Sequence, residues 1–181
     1  VLLGATLVMA SGQFVLMAYI APSLRSFTGA SPTTLAAFMA INGIFGVLGN
    51  TRLVRRVGRT GADRAASEAI ASMLVGLLAW GAAASLGLPW PAFVLAMAFW
   101  GFGAFASNSA QQARLAASAP TLASASIALN SAGMYAGQTI GAGLGGLVIA
   151  ASGYTLLGWL AAAMLALALY VSVLADRHVH R

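Results

Sequence analysis

Few side chains in this chain can do chemistry, and most of those are carboxamides. Gln13, Asn42, Asn50, Asn108, Gln111, Gln112, Asn130 and Gln138 each stand in a stretch that is otherwise apolar. An amide withdrawn from water without a partner is costly, so these groups must meet one another or a water-filled space. Amides donate and accept hydrogen bonds without titrating, so they suit the orientation of a solute better than the movement of a proton. The carboxylates are Asp63, Glu68 and Asp176, and none lies in the middle of an apolar stretch. Pumps and transporters usually carry protons on a membrane-buried carboxylate, and this chain offers none. Glu68 is expected to cap a helix or pair with a nearby arginine. His178 and His180 flank the C-terminus with Asp176, too few ligands for a tetrahedral metal site. There is no cysteine, no lysine, no phosphate-binding Gly-x-x-x-x-Gly-Lys loop and no His-Glu-x-x-His helix. No cofactor, no metal and no enzymatic activity are expected, and ATP-driven transport by this chain is excluded.

The elements that must hold these amides are set by composition. Of 181 residues, 60% are hydrophobic and 7% charged, with a mean hydropathy of +0.89. A soluble domain carries about 25% charged residues. So few charges cannot cover a water-facing surface, which excludes a soluble enzyme, and disordered chains are polar. The long continuous apolar runs also argue against the alternating strands of a membrane barrel. Membrane helices remain. At about 20 residues each, six spans use about 120 residues and leave about 60 for connections.

The expected spans are 2–21, ending at Pro22; 33–51, capped by Ser31-Pro32; 69–86; 92–112; 121–150, opened by Pro120; and 156–175. Residues 23–31, 52–68 and 114–120 then read as connections, with turns at Leu88–Pro91 and Ser152–Tyr154. Connections alternate between membrane faces. One face holds Arg52, Arg55, Arg56, Arg59, Arg64, Arg114, Arg177 and Arg181, eight of the nine arginines, and the other only Arg25. The positive-inside rule makes the first face cytoplasmic, together with the C-terminus, and places Trp90 and Tyr154 at the outer interface. The net charge of +6 is therefore an orientation signal. No basic face interleaved with aromatics suggests nucleic acid. The chain opens Val1-Leu2-Leu3, already apolar and without a basic leader, which reads as a piece of something longer.

Two patterns organise the spans. The first three read polar, Gly-rich and greasy, and the last three read the same way, so the chain divides into repeats of about 1–88 and 89–181. Three helices followed by three similar ones run in opposite senses through a membrane, the inverted-repeat logic of secondary transporters. The third and sixth spans, almost free of polar side chains, are expected to face lipid. Within the fifth span, Gly133, Gly137, Gly141 and Gly145 recur every four residues and form one smooth helix face. Such a face serves either as a packing seam or as a gating surface. Between the second and third spans lies Gly49-Asn50-Thr51-Arg52-Leu53-Val54-Arg55-Arg56-Val57-Gly58-Arg59, with a tight turn expected at Gly58. Its arginines suit the carbonyl ends of neighbouring helices.

The spacing Gly49, Arg55, Arg56, Gly58, Arg59 between two spans resembles the loop signature of the major facilitator superfamily. The stretch from Gln112-Ala113-Arg114 through Ala119-Pro120, Asn130, Gly137, Gly141 and Gly145-Gly146 is similar to the end of bacterial efflux permeases of that superfamily, the drug:proton antiporters and arabinose-type permeases. The resemblance covers the whole chain. It implies an all-α membrane protein forming the C-terminal six-helix half of a twelve-span transporter, one bundle from 1 to 181. The family loop often has Asp where Arg55 stands, which puts a charge relay through that acid in doubt. The resemblance also implies that the first and fourth spans line a cavity, offering Gln13, Met17, Tyr19, Trp100, Asn108 and Gln111. Asn42, Asn130, Tyr135 and Gln138 are added from the flanking second and fifth spans. The Gly133–Gly145 face would then let the bundles rock.

The expectation is a secondary transporter, an efflux permease of a small organic solute working by alternating access in the bacterial inner membrane, with proton-coupled antiport. Its partners would be the lipid bilayer, the solute, protons and an N-terminal six-helix half that carries the proton site. Two readings stand beside it: a self-sufficient six-span protein that dimerises into a transporter or channel, and a structural or regulatory membrane subunit without a solute and with no cavity between its first and fourth spans.

Overall fold

The computed structural model describes residues 2–118 and 120–179, and what it describes is helix and turn. The helices are α1 (Leu2–Met17), α2 (Ile20–Thr28), α3 (Pro32–Thr60), α4 (Ala62–Leu86), α5 (Trp90–Ser118), α6 (Ala123–Ser152) and α7 (Leu157–Val179), with a 3-10 turn at Pro120–Leu122. Five are long and apolar enough to cross a membrane, and α1 with α2 make a sixth span bent by 43°. This is an all-α membrane protein.

Several expected boundaries move, each for a local reason. The first span does not end at Pro22; it breaks earlier, at Ala18-Tyr19, and resumes. Proline has no N–H and its ring crowds the carbonyl four residues back, here that of Ala18, so the break lies N-terminal to the proline. Tyr19 N–H turns to Leu16 O at 2.9 Å, and Ser23 N–H re-enters the ladder on Tyr19 O at 2.9 Å. Residues 23–28 are thus helix, and the connection shrinks to the turn before Ser31. Ser31 caps α3 as expected, its Oγ accepting Thr34 N–H at 3.2 Å with Pro32 following.

The expected 52–68 connection is almost entirely helical. α3 continues through the arginines to Thr60, and the turn falls at Gly61 (φ +83°), not at Gly58, which sits inside the helix with open space beside it. The left-handed φ is what favours glycine there. Likewise α5 runs past Gln112 to Ser118, so Arg114 lies within a helix and not in a connection. The turn at Gly153 falls where expected, whereas the expected Leu88–Pro91 turn lies at 87–89, because Gly87 takes the left-handed cap of α4 and α5 already begins at Trp90.

The packing pairs helices across the two triplets. The first span packs on α6 and α7, and α5 packs on α3 and α4; α4 and α7 also pack together, whereas α1 and α5 barely touch. α1 and α6 run parallel in a four-residue register. A methyl added at Gly137, Gly141 or Gly145 would strike the carbonyl oxygens of Leu7, Ser11 and Val15 in turn, while Gly133 is in ordinary contact with Leu3. Small residues admit this approach, and Cα–H groups facing carbonyls are a recurrent contact at such seams. Gly49 against the Phe102 carbonyl and Gly101 against the Asn42 carbonyl make a corresponding parallel seam between α3 and α5. The apolar core lies mainly at the end away from the arginines. There Trp80 meets Phe93 edge-on, with centroids 4.9 Å apart, and Phe27 stacks on Phe93.

Candidate functional site

Because α1 and α5 diverge while α3 and α6 close the flanks, a cavity of about 500 Å³ opens between them. Six of the ten residues expected to line a cavity meet there: Gln13 and Met17 from α1, Asn42 from α3, Trp100 and Asn108 from α5, and Gln138 from α6. Asn50, Ser107 and Ser109 join them, with Met9, Phe14, Phe105 and Met134 supplying apolar surface. None of these lining side chains ionises. The helical spacing explains the convergence. Gln13 and Met17 are four apart on α1, Asn42 and Asn50 eight apart on α3, and Trp100, Ser107 and Asn108 follow one face of α5.

The amides differ in how far the protein satisfies them. Asn42 donates to Met97 O at 3.3 Å, and Asn108 Oδ1 accepts from Gln112 at 3.4 Å. Gln13 and Gln138 make no hydrogen bond to another described residue. Asn50 Oδ1 is buried and has no partner among the described residues. A buried polar atom left unsatisfied costs about 1–3 kcal/mol, so Asn50 holds an acceptor ready for a donor that enters the cavity. Ser23 Oγ and Trp80 Nε1 share that unsatisfied state, but neither lines the cavity.

The other four expected lining residues stand elsewhere. Tyr19 lies over Gly145 and Gly146 and donates its hydroxyl to Ala142 O at 2.8 Å, fastening the bend between α1 and α2 to α6. Tyr135 of α6 is 63% exposed and does not line the cavity. Gln111 and Asn130 are each 1% exposed and belong to a polar network one turn beyond the cavity. There Thr6 donates to Asn130 Oδ1 at 2.7 Å, and Gln111 Nε2 donates to Thr6 Oγ1 at 3.3 Å. Arg114, with 1% of its side chain exposed, donates to Gln111 Oε1 at 2.7 Å, to Ser172 Oγ at 2.9 Å and to Asp63 Oδ1 at 2.7 Å. The network ties together α1, α4, α5, α6 and α7. Sequence reasoning missed its centre. The signal was present: Arg114 falls three residues after Gln111, on the same helix face, with no glycine or proline before Pro120 to end the helix.

The expected charge pairing of Glu68 is present. It meets Arg56 at 3.0 Å and Arg64 at 3.5 Å, both exposed pairs of small energetic value. Arg55, Arg59 and Gly58 lie exposed along α3, and Gly49 is buried against α5. The expected lipid-facing spans are not uniformly greasy in their contacts, since Ser172 of α7 is buried on Arg114. Among the described residues no cluster of His, Asp or Glu could hold a metal. His180 and Arg181 lie outside the described residues, as do the side chains of Asp176, Arg177 and His178.

Six apolar spans around an amide-lined cavity define a polytopic helical membrane protein with room for a small molecule. The chain is similar to the inner membrane transport protein YdhP of Escherichia coli O157:H7, at 30% identity over 181 aligned positions and 95% of this chain. It spans 43% of that relative's length. No family model matches the chain, and no solved structure matches it.

Proposed function

We propose that this chain is one six-helix bundle of a secondary transporter that exports a small organic solute, with the cavity between α1 and α5 forming one wall of the solute site. The observation that carries the reading is the unpartnered Asn50 oxygen within a 500 Å³ amide-lined cavity inside a membrane bundle. Hydrocarbon surroundings do not retain such groups without a use. Similarity to a protein named for inner membrane transport points the same way. So does the cross-triplet packing, in which the first span of each triplet packs on the second and third spans of the other. That exchange is what two inverted repeats, about 1–88 and 89–181, produce.

In this reading a second six-helix bundle faces the open side of the cavity, and the site is exposed to each membrane face in turn. This wall recognises its solute by amide hydrogen bonds and by thioether and aromatic contact. It supplies no ion pair, so a coupling proton is carried on the facing bundle. The arginine-rich ends lie in the cytoplasm, and the membrane is the bacterial inner membrane. We place the family as the major facilitator superfamily, in its efflux branch.

The test uses cells producing the intact protein, loaded separately with Nile red, a methylumbelliferyl glycoside or ethidium. Faster efflux of at least one probe, abolished by a protonophore and slowed about tenfold by Asn50→Leu or Gln138→Leu, is expected; one lost hydrogen bond to solute is worth about that much. Efflux unchanged by the protein for every probe, or unaffected by both substitutions, would overturn the reading.

A further inference from the structure

The cavity leaves unexplained the longest run of charge in the chain. α3 has 29 residues, about 43 Å at 1.5 Å per residue, against about 30 Å of hydrocarbon. About 20 residues, from Pro32 to Thr51, cross that layer. The next residue is Arg52, and the helix continues without a break to Thr60. At 3.6 residues per turn, Arg52, Arg55 and Arg59 fall within about 60° of one another. All three are exposed. Arg56, beside them, is paired with Glu68, but no carboxylate among the described residues pairs with these three.

A second observation fixes what the stripe faces. Gly46, Gly49 and Leu53 turn α3 toward the bundle, where Gly46 and Gly49 meet α5. On the side turned away from it, Ile44 and Leu48 are 58% and 54% exposed. The same face, continued by one turn, carries Arg52, Arg55 and Arg59. An outward apolar strip passing without a gap into an outward basic strip has the profile of a helix leaving hydrocarbon for headgroups. There the arginine stems lie along acyl chains and the guanidinium groups reach phosphate.

We propose that Arg52, Arg55 and Arg59 form a binding surface for anionic phospholipid headgroups at the membrane face where α3 emerges. Guanidinium groups hold phosphate oxygens through paired N–H donors. Each basic residue near an anionic bilayer surface adds about a fivefold preference. The surface would anchor the end of α3 to the leaflet while the cavity-lining part of the same helix stays free of charge.

The test is native mass spectrometry of the intact protein released from micelles containing equal amounts of phosphatidylglycerol and phosphatidylcholine with matched chains. Wild type is expected to retain phosphatidylglycerol over phosphatidylcholine by about tenfold or more. The triple variant R52Q/R55Q/R59Q should fall to near parity, the triple lysine variant should keep most of the preference, and Arg25→Gln, at the opposite end, should change nothing. Each single glutamine variant should lose part of the effect, which keeps the test decisive if the triple variant folds poorly. Glycerophosphate added in place of lipid should not compete, because the apolar strip has no hold on it. No preference in wild type, or an unchanged preference in R52Q/R55Q/R59Q, would overturn the proposal. So would a triple variant that loses thermal stability in lipid-free micelles while keeping its lipid preference, which would assign the stripe to an acidic protein surface.

Discussion

Gly141 and Gly143 stand two residues apart on one helix and are expected to respond oppositely to the same methyl group. At Gly141 an added Cβ would lie 2.9 Å from the Ser11 carbonyl carbon and 3.0 Å from its Cα, and nearer still to its oxygen, where ordinary contact begins at 3.4 Å. α1 would have to withdraw by about half an ångström or more, yet α7 blocks it from behind, with Met164 Cβ already 3.0 Å from the Cβ position of Gly12. Overpacking of this kind costs about 1–3 kcal/mol. Alanine regains about 1 kcal/mol of helix propensity over glycine, leaving Gly141→Ala destabilised by about 0–2 kcal/mol. At Gly143 nothing lies within 4 Å, so only the propensity gain of about 1 kcal/mol remains. The two variants should therefore differ by about 1–3 kcal/mol. In a chain of this length that is a gap of about 2–12 °C in melting temperature, measured by tryptophan fluorescence during heating in detergent. Equal melting temperatures, or a higher one for Gly141→Ala, would refute the claim that the glycine face is a tight seam.

Three further outcomes follow from named contacts. Thr6→Val keeps the shape but leaves Asn130 Oδ1 and Gln111 Nε2 without their shared hydroxyl. It should cost about 1–2 kcal/mol in thermal unfolding, with Thr6→Ser close to wild type. Tyr19→Phe removes the bond to Ala142 O and should cost about 1 kcal/mol in the same assay, with no loss of ring packing on Gly145. Pro22→Ala restores an N–H for the Ala18 carbonyl and should straighten the 43° bend. That would lengthen the distance across α1 and α2 by about 2 Å, as read by spin labels at two introduced cysteines, the chain having none of its own.

The legible part of this protein was its periodic and compositional part. Six spans, the Ser31 cap and the Gly153 turn follow from hydropathy and from local backbone chemistry, which act within a few residues. The ends of α3 and α5 are misplaced for one reason: arginine marks the edge of the hydrocarbon, and in a sequence that reads as loop. A helix is indifferent to that distinction, and α3 and α5 extend past their apolar segments because nothing in 52–60 or 113–118 breaks them except Gly58, which a helix tolerates at modest cost. The site was legible where polarity and face agreed, as at Gln13, Asn42 and Asn108. It failed where an amide had a private partner on a distant helix. Gln111 and Asn130 look like Asn108 in the sequence; only the approach of Thr6, more than a hundred residues away, removes them from the cavity. Asn50 reads as an amide of the second span and also as part of the Gly49–Arg59 motif, and nothing local in the sequence shows that its oxygen is left buried without a partner.

The pairing of the first span with α6 and α7 also sets a timetable. α3, α4 and α5 are neighbours in sequence and pack on one another, so they can close as soon as they have been made. α1 must wait for partners that begin at Ala123 and Leu157. At about 5–20 residues per second, that is a delay of some 6–30 s during which Thr6 and Gln13 have neither Asn130 nor a formed cavity to face. An insertion apparatus or a chaperoning lipid environment has to shelter α1 for that interval. The α1–α6 glycine seam therefore closes only after α6 has been made, later than the seam between α3 and α5.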